Sequence, residues 1–143
     1  NPDVNLTKYN DACPHRSETI ANPLTYYERY EMIKGAMLEA GQESFEIVPF
    51  PINFPELIFN YTPQNAVYYL TIYDKWGEEK RQLLENIGCN TNVMWHRSNS
   101  ERFTSGTEVR RRIVSGEEWK DLVPEFVYSY IIEHKIDERI RFL

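Results

Sequence analysis

The residues best suited to chemistry in this chain lie at Thr104-Ser105-Gly106-Thr107-Glu108-Val109-Arg110-Arg111-Arg112. Ser105 is placed to cap a helix whose first N–H groups have no intrahelical partner, Gly106 lets a ligand approach the backbone, and Thr107 adds a hydroxyl in the first turn. Such a helix start is an anion site, favoured further by the helix dipole. Arg110 follows Thr107 by about one turn, so its guanidinium can reach the same anion and make paired charge-assisted hydrogen bonds to phosphate oxygens. Because successive residues rotate by ~100° about a helix axis, Arg110, Arg111 and Arg112 cannot all face one site. One is a ligand candidate and two belong to the surface. The same residues also suit a plain helix cap with three solvated arginines, and the residue types alone do not decide between the two.

Other residues carry paired readings. His15 and Arg16, beside Asp11, suit either a phosphate-contacting loop or a solvated turn. Asn53 suits a hydrogen bond to a polar ligand, or an Asx turn ahead of Pro55. Tyr73 and Trp76 can stack on a flat ring or simply pack beside a central strand. Trp95, Trp119 and Phe126 read as packing, and His134 as a complement to a helix dipole.

The elements that must position these residues follow from pattern. Thr25 and Glu28 form a capping box that opens a helix over 26–40, with Tyr26, Tyr30, Ile33, Met37 and Ala40 as its apolar stripe and Gly41 as its stop. Residues 45–50 (FEIVPF), bounded by prolines, suit a short strand, and 52–55 a loop. The near-continuous apolar run 66–73 (AVYYLTIY) predicts a strand buried on both faces at the sheet centre. Residues 78–87 predict an amphipathic helix closed by Gly88, and 92–96 a further strand. Ser105 with Glu108 and Ser115 with Glu118 repeat the capping-box spacing, and Pro124 opens a last helix with Val127, Ile131 and Ile132 on one face. Strands alternating with helices argue for an open parallel α/β sheet with helices on both faces, in which ligands bind beyond the carboxyl ends of the strands.

Composition bounds the answer. The chain has 143 residues, 41% hydrophobic and 14% aromatic, with no internal repeat or dividing linker, which predicts one domain over 1–143 with a substantial core. That composition is too apolar for a disordered tail, and no run reaches the length that spans a bilayer. Sixteen basic against 22 acidic residues leave a net charge of −6, which argues against a general nucleic-acid surface while leaving room for a local anion site. Cys13 and Cys89 lack the spacing of a zinc site or disulfide framework, so a reducing cytoplasm is the expected setting and no metal ligands are predicted. The chain opens at Asn1-Pro2-Asp3 rather than at a methionine, so further sequence is expected upstream.

Three motifs then carry a resemblance. Ser105 to Ile113 (SGTEVRRRI), with Gly116-Glu117-Glu118-Trp119 and Leu122-Val123-Pro124 behind it, resembles the carboxyl-terminal signature of the nucleotidyltransferases that include the archaeal nicotinamide-nucleotide adenylyltransferases. Asn22-Pro23-Leu24-Thr25 is similar to that family's Asn-Pro-Phe-Thr helix opening, and Pro49 to Asn53 (PFPIN) to its Pro-x-x-Ile-Asn loop beside the nicotinamide nucleotide. The motifs occur in the family's order over nearly the whole chain. The resemblance implies a Rossmann-like fold in which Ser105, Gly106, Thr107 and Arg110 bind the triphosphate of ATP, with Arg110 catalytic. It also implies that Asn22, Asn53, Thr71, Asp74, His15 and Arg16 contact nucleotide or acceptor; Asp74 can alternatively cap a helix at Lys75. Two departures stand out. The family's first strand and its Gly-Arg-Phe-x-Pro-x-His-x-Gly-His loop do not occur in this sequence, and none of His15, His96 or His134 sits in such a motif. Residues 11–21 also differ from the archaeal connection, which is shorter with one histidine closer to its Asn-Pro, so the match of His15 is loose and the acceptor is open to difference.

The reaction so implied is transfer of the adenylyl group of ATP to the phosphate of nicotinamide (or nicotinate) mononucleotide, with release of pyrophosphate, a step of NAD biosynthesis. Mg²⁺ would be held mainly by the ATP phosphates. A relative using CTP or another phosphorylated acceptor is the alternative within the class, and a noncatalytic nucleotide-binding module the alternative outside it. Expected partners are ATP and the acceptor, with neither nucleic acid nor membrane, and the many tyrosines permit a homo-oligomer interface.

Overall fold

The computed structural model describes residues 22–143. The elements run α1 (Tyr26–Glu39), β1 (Val67–Ile72), α2 (Lys75–Asn86), β2 (Asn90–His96), α3 (Gly106–Ser115), α4 (Glu125–Glu133) and α5 (Ile136–Arg141), with 3₁₀ turns at Pro55–Asn60, Asn99–Glu101 and Lys120–Leu122. They gather into two compact units, one of residues 48–102 and the other of residues 22–47 with 103–143.

The first unit is a β1–α2–β2 crossover whose strands pair in parallel, Val67 opposite Asn90 and Ile72 opposite His96. It is α/β with a parallel sheet, as the alternation predicts, and of the Rossmann-like kind. The helix α2 starts three residues earlier than expected because Asp74 caps it, its Oδ1 accepting from the Gly77 N–H at 2.9 Å. Gly77 lets α2 close on β1, since a Cβ there would stand 3.3 Å from the Ile72 Cα. Ile52, Ile58, Leu84 and Cys89 form the buried core, backed by Phe50, Leu70 and Trp76. Cys89 is a buried free thiol.

Two strand expectations fail here. β1 is not buried on both faces: its burial alternates, with Tyr69 63% exposed, and it has one strand neighbour among the described residues. An apolar run cannot by itself distinguish a two-sided from a one-sided strand when three of its eight residues are tyrosines. Residues 45–50 form no strand. Pro49 and Pro51 remove ladder donors, and the Ile52 N–H turns back to the Phe50 carbonyl at 2.9 Å.

In the second unit, α1 opens on the predicted capping box, with Glu28 N–H donating to Thr25 Oγ1 at 3.1 Å and Thr25 N–H to Glu28 Oε2 at 2.8 Å. It ends at Glu39, with Gly41 in the left-handed region at φ 76°. Its buried face is not the predicted stripe. Ile33 is 50% exposed and Ala40 is exposed, while Met32 and Gly35 are buried. Gly35 is the reason: a Cβ there would overlap the Phe126 ring of α4, so the helices approach along the glycine side. Sparse, scattered apolar residues left the sequence pattern with no sharp face.

Met32, Ile113, Trp119, Ile131, Ile136 and Ile140 make this unit's core. Ile131 and Val127 face it as expected, whereas Ile132 is exposed. The closing segment contains a second helix, α5, entered through Lys135 at φ 54°. The Ser115–Glu118 capping box does not exist. Ser115 is the last residue of α3, its hydroxyl donates to the Arg111 carbonyl at 3.0 Å, and Gly116 ends the helix at φ 71°. A serine placed to begin one helix also suits the end of another, and Gly116 decides it.

Candidate active site

At the start of α3, Ser105 Oγ accepts from the Glu108 N–H at 3.1 Å, as the cap predicts. The reciprocal half of the box is missing, because the Glu108 carboxylate reaches Arg111 Nε (2.9 Å) and Arg112 Nε (2.8 Å) instead. The N–H groups of Gly106 and Thr107 sit in the first turn, where no preceding carbonyl can take them. Arg110 curls back over this end. Its Nη2 donates to Thr107 Oγ1 at 3.3 Å, and its Nη1 lies so near Gly106 that a Cβ there would meet it at 3.1 Å.

The three consecutive arginines differ sharply in their partners. Arg111 is held by Glu108 and by both oxygens of Glu117, and Arg112 by Glu108 and the Glu118 carbonyl at 3.0 Å. The hydrogen bonds from Arg111 hold both Glu108 and Glu117 down at about 2, Glu108 further helped by Arg112 and Glu117 by Ser115, while Arg111 itself is raised. Arg110 is partly buried and has no carboxylate partner among the described residues, and burial lowers its affinity for the proton. A guanidinium removed from water with only a hydroxyl for company is stabilised by an anion.

This end of α3 forms one wall of a cleft of about 450 Å³ within the second unit. Pro23 and Leu24 of the segment before α1, Arg29 of α1, and Val123 and Val127 line the rest. The Asn-Pro-Leu-Thr motif and the Ser-Gly-Thr motif, which begin 83 positions apart, therefore border the same space. Thr104 also lines it, with an Oγ1 that is buried and has no hydrogen-bond partner, and sequence reasoning assigned this residue no role. Only its place next to the capping serine signalled it.

The remaining predicted residues divide between the units. Asn22 is half-buried just before Pro23, in the same unit as Ser105 and Arg110. Asn53, Thr71 and Asp74 belong to the β1–α2–β2 unit: Asn53 half-buried in a turn, Thr71 near the end of β1, and Asp74 at the α2 cap, so the capping reading of Asp74 is realised. His15 and Arg16 lie outside the described residues. Trp76 packs into the first unit's core, and Tyr73 carries the Arg102 guanidinium 4.3 Å from its ring centre. Trp119 is core as expected, and Phe126 packs over Gly35. Trp95 is not packing: it is 47% exposed with Arg97 over its ring at 4.9 Å. His134 Nδ1 lies 3.0 Å from the Tyr130 carbonyl at the end of α4.

No three His, Cys, Asp or Glu side chains converge as a metal cage among the described residues, and no described helix is long and apolar enough to cross a membrane. The first unit is parallel α/β, and in the second unit a helix start with unpaired N–H groups lies beside an arginine without a carboxylate partner, features that suit phosphate binding. The comparisons specify it further. The chain is 44% identical over 99% of its length to the phosphonoformate cytidylyltransferase of Streptomyces viridochromogenes, covering 77% of that protein. It is 35% identical to the nicotinamide-nucleotide adenylyltransferase of Pyrococcus horikoshii over 87% of this chain and 67% of the relative, and 30% identical to that of Saccharolobus solfataricus over 87% and 73%. No family model matches the chain. The chain belongs to the nucleotidyltransferase family of these proteins and is an enzyme of that type.

Proposed function

We propose that this protein transfers the cytidylyl group of CTP to a small phosphonate or phosphate acceptor, with release of pyrophosphate. The observation that carries the choice is the 44% identity, maintained over 99% of the chain, to a phosphonoformate cytidylyltransferase. The site suits the class of reaction. An acceptor oxyanion attacks the α-phosphorus in line, the bond from that phosphorus to the bridging oxygen of the leaving group breaks, and pyrophosphate departs with the electron pair. A dianionic acceptor has no proton to lose, so no general base is required. Two anions must instead be brought together and the growing charge on the leaving group neutralised.

Ser105, Gly106, Thr107 and Arg110 take the triphosphate in this reading, the N–H groups orienting its oxygens and Arg110 answering the charge that builds on pyrophosphate. The exposed first-turn N–H groups and the uncompensated guanidinium support that assignment. Asn22, Asn53, Thr71 and Asp74 are the candidates for nucleotide and acceptor contacts, as are His15 and Arg16. Magnesium, bound to triphosphate oxygens and water, would supply further charge neutralisation, and that role requires no cage of protein ligands.

The second reading is adenylyl transfer from ATP to nicotinamide mononucleotide. It is favoured by the Asn22–Thr25 and Pro49–Asn53 motifs and by the identity to archaeal adenylyltransferases. The test is pyrophosphate release by the full-length protein with CTP or ATP crossed with phosphonoformate or nicotinamide mononucleotide, in the presence of magnesium. Product from CTP with phosphonoformate is expected. Product only from ATP with the mononucleotide selects the second reading, and nucleotide binding without pyrophosphate from any pair selects a noncatalytic module.

A further inference from the structure

Among the described residues, Arg97, Arg102 and Arg110 have no carboxylate within ion-pair distance. In a chain of net charge −6 such arginines are conspicuous, since Arg81, Arg111, Arg112, Arg139 and Arg141 are each ion-paired. Arg110 belongs to the α3 site. Arg97 and Arg102 belong to the β1–α2–β2 unit, and each rests on an aromatic ring, Arg97 on Trp95 and Arg102 on Tyr73.

These rings share one edge and one face of the strand pair. Tyr73 directly follows β1 and Arg97 directly follows β2, and the Arg97 N–H donates to the Ile72 carbonyl at 2.9 Å, so both stand at the carboxyl end of the sheet. The register slips between Leu70 and Thr71, so that Leu70 pairs with Val93 but Thr71 with Trp95. That slip turns Trp95 onto the face of Thr71 instead of leaving it in step with Val93. Ile72 points the other way, against Gly77 of α2. The face of Thr71, Tyr73, Trp95 and Arg97 is thus the one that α2 does not cover. Glu101 is an electrostatic neighbour of Arg97, but its carboxylate is held by the Ser98 N–H at 2.7 Å and the Ser98 hydroxyl at 2.8 Å.

We infer that Arg97 and Arg102, held on Trp95 and Tyr73, form a second anion subsite that binds the phosphonate or phosphate group of the acceptor. This rests on the reading that the enzyme joins a nucleotide to such an acceptor. Nucleotidyl transfer needs two anions bound at once, and the molecule offers two separate sets of uncompensated arginines, one in each unit. Stacking fixes the guanidinium planes while leaving their N–H edges to meet two oxygens of one tetrahedral group, which a lysine cannot reproduce.

The test is equilibrium binding of methylphosphonate and of inorganic phosphate to the full-length protein, with the triphosphate site filled by a non-hydrolysable CTP analogue, alongside the separate KM values for nucleotide and acceptor. In R97A and R102A the affinity for both probes should fall by about 10-fold or more, and the acceptor KM should rise to match while the nucleotide KM stays within about 2-fold. R102K should recover only part of the loss, and carries the test if the alanine variants fold poorly; R81Q, which alters an ion-paired arginine, should leave probe affinity unchanged. Unaltered probe affinity in R97A and R102A, or equal weakening of nucleotide and acceptor, overturns the subsite. Should no nucleotide and acceptor pair yield pyrophosphate while the probes still bind through these arginines, it is the proposed reaction that fails and not the subsite.

Discussion

The ten-residue helix α3 turns consecutive arginines toward its two ends and carries the same side-chain chemistry to opposite uses. At the carboxyl-terminal end, Arg111 and Arg112 are saturated by Glu108, Glu117 and the Glu118 carbonyl, and the network closes on itself. At the amino-terminal end Arg110 folds over Gly106 toward Thr107 and meets no carboxylate. Charge that has been neutralised within the chain stabilises the chain, and charge left without a partner beside exposed N–H groups is available to a ligand. Partner count, rather than position in the arginine run, is what singles out Arg110 as the binding candidate proposed above.

The largest effect expected from that contrast is on Arg110. R110A should lower turnover about 100- to 1,000-fold with an unaltered circular dichroism spectrum, because it removes a donor aimed at charge that develops in the transition state. Near-normal turnover would place Arg110 outside the site. G106A tests the close approach of its guanidinium: the new methyl would displace a flexible side-chain end, not backbone, so turnover should fall about tenfold while the melting temperature holds. S105A removes the cap and should cost about 1 kcal/mol of stability, read from denaturant midpoints, together with weaker nucleotide binding. The smallest effect belongs to the other end. R111A should leave turnover within about 2-fold and lower the melting temperature slightly, since exposed pairs contribute little.

The same network predicts an acid response. Glu108 and Glu117 sit at about 2, below their ordinary value, so their pairing stabilises the fold above the unfolded carboxylate range and is lost as pH falls from there toward 2. Glu28 behaves alike in direction: burial raises its carboxyl, but two hydrogen bonds from Arg139 and the Thr25 N–H outweigh it. Thermal melts between pH 5 and pH 2 should therefore show a steeper loss for the parent than for R111A. Parallel pH profiles would break this part of the contrast.

Local signals survived in the structure where they were short-range. The Thr25 box, the Ser105 cap, the Gly41 stop and the parallel pairing of 67–72 with 90–96 all appear as the residue types imply. What failed depended on neighbours distant in sequence or on local proline and glycine breakers. The inward face of α1 was set by Phe126 lying on Gly35, and the missing strand at 45–50 by prolines that deny it a ladder. In the site, Ser105, Gly106, Thr107 and Arg110 were legible as a local pattern. That Pro23 and Leu24 border the same cleft was not, nor that Glu117 and Glu118 would occupy the other two arginines. The exposure of Trp95 followed from a register slip that no strand pattern announces.

The central claim is that the start of α3 holds the triphosphate through the one arginine of the run that lacks a carboxylate. The most direct measurement is the dissociation constant for CTP and ATP of the full-length protein by calorimetric titration in the parent, R110A and R111A. Affinity weakened at least about 10-fold in R110A and within about 2-fold of the parent in R111A is the predicted result. Equal losses in the two variants, or none in R110A, would contradict the claim.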